Sequence, residues 1–212
     1  HLRVRVARAR QRLRALLRRG LPLHEVRAAE NGMSFVLCSG SRHMPATAKY
    51  VIREMFALLP KDTIIVEGGA EGADKLAGEV AEEFGFRVIV ENADWKELGR
   101  AAGRERNQRM LSKYNPNLAF FFHHSPTLGS GTLDMYTRCR KAGVPSRVKL
   151  YDAAEAYIRW VLESEDPHAH SVADPEFKAL SEKEQAKVMA KFDGYGLRDA
   201  LAATAKDPLD GK

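Results

Sequence analysis

Between residues 34 and 150 the chain alternates two kinds of apolar pattern. Short unbroken runs rich in Val, Ile and Phe occupy 34–38, 63–67, 86–91, 117–122 and 146–150. Runs of that length with no polar alternation suit strands buried on both faces. The stretches between them, 45–58, 71–84, 99–114 and 131–142, repeat apolar residues every three or four positions and predict helices. The clearest is the stripe Ala73, Leu76, Ala77, Val80, Ala81 and Phe84, one continuous helical face. Gly143 followed by Pro145 closes the last of these helices. Strands separated by helices need βαβ crossovers. The prediction is therefore an α/β domain over 33–165, an open parallel sheet of about five strands with flanking helices.

Beyond residue 150 the pattern changes. A helix is predicted over 152–164 with Asp152 as its cap. Its stripe of Ala156, Tyr157, Trp160 and Val161 is expected to dock on the sheet. The polar stretch "ESEDPHAHSVADPEF" reads as a linker. Residues 176–193 predict another helix, anchored by Leu180, Val188, Met189 and Phe192, so 166–212 is a linker and helical C-terminal extension. The closing "KDPLDGK" is expected to be unstructured. There is no internal repeat.

Charge changes the picture at one end. Residues 1–32 hold nine arginines against Glu25 and Glu30, whereas the whole chain has a formal net charge of only +6. The basic excess therefore belongs to an Arg-rich leader, and the α/β domain is close to neutral. Three readings of the leader stay open. It is an arm over residues 1–20 for nucleic acid or another polyanion, a transit-like sequence, or an extension upstream of the true start. The last is favoured because Met33 directly precedes the first strand. No stretch reaches the roughly 18 apolar residues of a membrane span, so no membrane partner is expected. Cys38 and Cys139 fall in apolar patterns, which argues against a disulfide framework and for a cytoplasmic setting.

The candidate chemistry lies just after the strands. "SGSRHM" brings Gly40, Ser41 and Arg42; "EGGAEGAD" brings Glu67, Gly68, Gly69, Gly72, Ala73 and Asp74. "NADW" brings Asp94 and Trp95, and "GSGTLD" brings Gly129, Ser130, Gly131, Thr132 and Asp134. Open parallel sheets bind ligands beyond the carboxyl ends of their strands. Glycines let a ligand approach the backbone, and helix starts offer unpaired N–H groups to anions. Neither glycine turn is a P-loop or a GxGxxG fingerprint.

On the third helix Gly103, Arg106, Asn107, Met110, Leu111 and Tyr114 share a face, so Arg106 and Asn107 interrupt an apolar stripe. A partly buried Arg needs an anion. That anion is either an internal carboxylate, Glu67 or Asp94, or a bound phosphate. The expectation adopted is a phosphate on the N–H groups of residues 69–73, with Arg106 closing the site. Asp74 complements the helix dipole or contacts a ribose hydroxyl or water. Ser130 is the expected helix cap, and Trp95 either stacks on a base or packs at the rim. His123 and His124 have no Cys or acid at ligand spacing nearby, so neither a metal nor a resident cofactor is expected.

Taken together, Gly40-Ser41-Arg42, Glu67-Gly68-Gly69-Ala70 with Gly72-Ala73-Asp74, Ala93-Asp94-Trp95, Ala102-Gly103, Arg106-Asn107 with Met110, and Ser130-Gly131-Thr132 with Asp134 resemble the SLOG superfamily of Rossmann-like nucleotide-binding proteins. The nearest likeness is to its small bacterial and phage "GSR" branch, over residues 33–150. The resemblance implies a Rossmann-like fold that binds a nucleotide or derivative, related to NAD or ADP-ribose or to nucleoside monophosphates, and it leaves a homo-oligomer open. It also implies an alternative, the phosphoribohydrolase chemistry of LOG-type relatives, which split the N-glycosidic bond of nucleoside monophosphates. Arg106 and Asp134 would then be the catalytic candidates. That family's glutamate falls on Met135; Asp134 stands one residue earlier, about 100° round the helix.

Overall fold

The computed structural model describes residues 34–164, 170 and 172–197. The Arg-rich leader, most of the linker and the chain end lie outside them, and with them the expectation of a nucleic-acid-binding arm.

Five parallel strands, β1 (Ser34–Gly40), β2 (Thr63–Glu67), β3 (Arg87–Val90), β4 (Leu118–His123) and β5 (Ser146–Leu150), form one sheet in the order β3-β2-β1-β4-β5. This is an α/β Rossmann-like fold. The intervening helices are α1 (Lys49–Phe56), α2 (Ala73–Glu83), α3 (Trp95–Leu98), α4 (Ala102–Tyr114) and α5 (Ser130–Lys141). The unbroken apolar runs hold for the inner strands. Every residue of β2 and β4 is buried, whereas the edge strands β3 and β5 each expose residues.

Alternate side chains of each strand supply the two faces of the sheet. Leu37, Val66, Ala119 and Phe121 pack with Met110 of α4 and with Met135 and Cys139 of α5. On the opposite face Phe56 of α1 meets Phe120 at a ring separation of 6.4 Å, and Phe120 meets Phe122 at 6.1 Å. Cys38 and Cys139 are both buried free thiols.

Two predicted helices divide. The stretch 45–58 opens with a 3-10 turn, Ala46–Ala48, before α1. The stretch 99–114 is preceded by α3 and a 3-10 turn, Gly99–Ala101, because Gly99 takes a φ of +48° that an α-helix does not accommodate.

A second compact unit starts at Asp152. Its helices are α6 (Ala153–Glu163), α7 (Pro175–Lys178) and α8 (Glu182–Gly194). Asp152 caps α6 by accepting from the Glu155 N–H at 3.0 Å, and Ser181 with Glu184 forms a capping box on α8. The stripe read as sheet-docking is redrawn. Ala154, Tyr157, Ile158, Val161 and Leu162 are buried with Phe177, Val188, Phe192 and Leu197, and Trp160 is 43% exposed. The wider apolar face of α6 is what a small helical unit with its own core requires. No helix among the described residues is long and apolar enough to cross a membrane.

Gly40 sets how closely the site's elements approach. Its Ser41 neighbour donates to the Phe122 carbonyl at 2.9 Å, and a Cβ on Gly40 would strike that carbonyl and come within 2.6 Å of the Ala73 Cβ. Gly40→Ala is therefore expected to destabilise the protein by about 1–3 kcal/mol through overpacking. Gly131→Ala, a helical position with nothing within 4 Å of its new Cβ, should be neutral or stabilising by up to about 1 kcal/mol. Urea denaturation of the two variants against the parent checks the contrast.

Candidate functional site

Strand order places a crevice. The chain runs outward from β1 to β2 and β3, then crosses back to lay β4 on the other side of β1. The connections after β1 and β4 therefore leave in opposite directions, and a gap opens beyond their carboxyl ends. A cleft of about 1030 Å³ occupies it. Of the sequence candidates, Gly40, Ser41, Arg42, Asp74, Trp95, Arg106, Asn107, Gly129, Ser130, Gly131, Thr132 and Asp134 line the cleft. Glu67, Gly68, Gly69, Gly72, Ala73 and Asp94 do not belong to its lining. Asp94 instead caps α3, accepting from the Glu97 N–H at 3.1 Å.

The turn after β2 does not present the N–H array expected of it. The Gly69 N–H donates to the Glu67 carboxylate at 2.6 Å, and the Ala73 N–H donates to the Ser41 carbonyl at 3.0 Å. The N–H groups of Ala70 and Gly68 are directed at the Asp74 carboxylate. Of the five N–H groups at residues 69–73 on which a phosphate was expected, those of Gly69, Ala70 and Ala73 are thus taken by the protein's own carboxylates and the Ser41 carbonyl.

Arg106 is part of the same arrangement. It is 8% exposed, with Nη1 on the Gly68 carbonyl and 3.7 Å from Asp74 Oδ2, and Nε on Asn107 Oδ1 at 3.1 Å. Its carboxylate partner is Asp74, where the sequence pointed to Glu67 or Asp94. A Cβ on Gly68 would overlap the guanidinium, so that glycine exists to let Arg106 lie against the backbone. Gly69 and Gly72 take φ of +67° and +75°, and a Cβ at Gly72 would lie 2.6 Å from the Arg42 carbonyl carbon. The glycines of this turn serve chain geometry and the buried arginine.

The electrostatics follow from two carboxyls sharing one guanidinium. Burial pushes the Asp74 carboxyl up to about 7; Arg106 pulls it down, and Glu67 nearby raises it further. Burial also raises Glu67, against the opposing pull of the Gly69 N–H and Arg106. Beneath them the Cys38 thiol is raised by burial first, then by Asp74 and Glu67.

The start of α5 differs. Its cap position is Gly129, not the expected Ser130, and no side chain caps it. Among the described residues no acceptor meets the N–H groups of Ser130, Gly131 and Thr132, which begin the helix at the cleft. A Cβ added at Gly131 would meet nothing within 4 Å. Asn107 links this end to the arginine: its Nδ2 donates to Asp134 Oδ2 at 3.0 Å and to the Gly131 carbonyl at 3.4 Å. Asp134 also accepts from Arg138 Nε at 2.9 Å. Burial opposes its ionisation, but the hydrogen bonds from Arg138 and Asn107 prevail and hold the carboxyl below its ordinary value. Met135 is fully buried in the core.

Sequence reasoning missed several cleft residues. Arg100 and Arg104 are exposed beside Trp95, which is 52% exposed and carries the Arg42 guanidinium 5.7 Å from its ring centre. His43, His123 and His124 line the wall between β1 and β4. His123 is buried and accepts from the Gly129 N–H through Nε2 at 3.3 Å, while Nδ1 lies 2.8 Å from the Ser125 carbonyl. Nδ1 also lies 3.1 Å from the Ser125 N–H, so this ring is held on both sides by the backbone. Accepting through Nε2 requires that nitrogen to be unprotonated, and burial lowers the pKa in keeping with a neutral ring. Among the described residues no group of three or more His, Cys, Asp or Glu side chains is arranged to hold a metal. Comparison with models of known protein families and with curated protein sequences gives no match.

Two outcomes follow. Above about pH 7, where Asp74 is ionised, Arg106→Ala strands it beside Glu67 without a cation and should cost about 3–5 kcal/mol of folding stability at about pH 8, the usual result of breaking a buried pair. Chemical denaturation measures it. The pH dependence has a definite sign. Asp74 holds its proton up to about pH 7 when folded but releases it near pH ~4 when unfolded. Its contribution to stability is full below the unfolded value and is lost as pH rises through the folded one. Stability should therefore fall by a few kcal/mol between about pH 5 and pH 8, with Glu67 acting in the same direction. Asp74→Asn should flatten that fall in urea titrations at the two pH values.

Proposed function

We propose that the protein binds a nucleotide or nucleotide derivative in this cleft, with a phosphate on the first turn of α5 and the base against Trp95. The observation that carries the reading is the open start of α5. Three consecutive N–H groups, at Ser130, Gly131 and Thr132, lack an acceptor among the described residues and border the cleft at the β1/β4 crossing. The positive end of a 12-residue helix favours an anion there. Arg42, Arg100 and Arg104 add exposed positive charge around the cleft. Trp95 offers an aromatic face, and Arg42 beside it limits how that face is approached.

The cleft volume of about 1030 Å³ lies at the upper end of the roughly 300–1,000 Å³ usual for small-molecule sites. It has room for ADP-ribose or NAD as well as for a nucleoside monophosphate. Binding without glycosidic cleavage is the reading adopted. The position that matches the glutamate of the LOG-type proteins this chain resembles is the buried Met135, and the Asp134 carboxylate is engaged by both Asn107 and Arg138.

Calorimetric titration with AMP, ADP-ribose and NAD tests this. Gly131→Asp places a carboxylate at the anion position where the side chain has space. It should reduce nucleotide affinity at least about tenfold, like-charge repulsion there being worth a kcal/mol or more, while leaving the melting temperature essentially unchanged. Trp95→Ala should weaken nucleotide binding by about 1–3 kcal/mol and leave pyrophosphate binding unaltered. Failure of the folded parent to bind any of the three nucleotides, or parent-like affinity in Gly131→Asp, would overturn the reading.

A further inference from the structure

Two imidazoles in the cleft have no role in binding as described so far. His43 follows β1 and His124 follows β4. Because those strands are neighbours, both rings reach the same wall. Their centroids lie 6.2 Å apart, edge towards face, and His124 stacks on His123 at 4.9 Å. His43 and His124 are exposed, and among the described residues neither ring nitrogen has a hydrogen-bond partner. His123, in contrast, is occupied by the Gly129 N–H and the Ser125 carbonyl and holds the loop that delivers α5.

Free imidazoles on adjacent strand ends, beside an anion position, make up the parts of a general acid–base pair. The ring separation of 6.2 Å is comparable with the span of two hydrogen bonds of about 2.8 Å made to different oxygens of one phosphate group.

We propose that His43 and His124 are the acid–base pair of a phosphodiesterase, and that the cleft hydrolyses a nucleotide phosphodiester. This rests on the reading that the start of α5 takes the phosphate. One imidazole enters neutral and the other protonated. The neutral ring accepts a proton from water as the water oxygen forms its bond to phosphorus. The ester P–O bond breaks on the opposite side, its electron pair staying on the departing oxygen. The protonated ring gives its proton to that oxygen. One water is consumed, a diester becomes a monoester and an alcohol, and the two rings have exchanged protonation states, which solvent restores. The N–H groups of Ser130, Gly131 and Thr132 and the Arg42 guanidinium stabilise the non-bridging oxygens as negative charge builds on them.

The full chain is incubated with 2′,3′-cyclic AMP and with bis(p-nitrophenyl) phosphate in the presence of EDTA, and products are read by chromatography and absorbance. AMP affinity is measured in parallel by calorimetry. The expected result is turnover by the parent and a loss of about 10²-fold or more in each of His43→Ala and His124→Ala. Both variants should keep the parent's melting temperature and lose much less AMP affinity than turnover, about tenfold for the one hydrogen bond removed. Parent protein that binds AMP but cleaves neither diester overturns the phosphodiesterase and leaves the binding reading standing. Turnover that survives in both variants also overturns it. Cleavage dependent on both histidines without measurable AMP affinity supports the acid–base pair and counts against the binding mode. If the parent neither binds nor cleaves, both proposals fall.

Discussion

The guanidinium of Arg106 is the constraint around which this end of the sheet is organised. A charge that is 8% exposed must be matched within the protein. The match takes three elements: the Gly68 carbonyl at the end of β2, the Asp74 carboxylate in the first turn of α2, and Asn107 beside it on α4. Each has a further consequence. Gly68 can carry no Cβ, because the guanidinium fills that volume. Asp74 is drawn into a buried site close to Glu67, where two carboxyls contend for one cation and retain protons to unusually high pH. Asn107, with its oxygen committed to Arg106, turns its amide towards Asp134 and the Gly131 carbonyl. A single buried charge thus ties α4 to the β2–α2 turn on one side and to α5 on the other.

That arrangement explains why two glycine-rich helix starts with similar sequences have opposite fates. In "EGGAEGAD" two acids precede and follow the glycines, and the turn folds its own N–H groups onto them. In "GSGTLD" the acid comes one turn into the helix and faces Asn107 and Arg138, leaving the first N–H groups without a partner among the described residues. Local anions decide whether a helix start remains open to an external one. Gly129 adds to this by capping α5 with no side chain at all.

The fold was legible because its signals are local and repeated. The unbroken runs at β2 and β4 and the stripe of α2 require only period and length. Strand order was not legible, since the pairing of β1 with β4 spans about 80 residues and appears in no local pattern. The set of cleft residues was largely legible in kind, because small and polar residues at strand ends stand out against apolar neighbours. Their partners were not. Arg106 visibly interrupted an apolar stripe, yet choosing Asp74 over Glu67 or Asp94 depends on distances of a few ångströms between three elements. His43 and His124 are 81 positions apart and gave no signal of proximity at all.

The deep side of the cleft is committed: Arg106, Asp74, Asn107 and His123 all have protein partners. Groups without such partners among the described residues, namely the α5 amides and the His43 and His124 rings, sit on the connections after β1 and β4. Those connections leave neighbouring strands in opposite directions, so the structure can bring their side chains within a few ångströms of one another without filling the space between them. The buried network fixes α4 and α5 against the sheet, and these donors and acceptors are left where the topology keeps the chain apart.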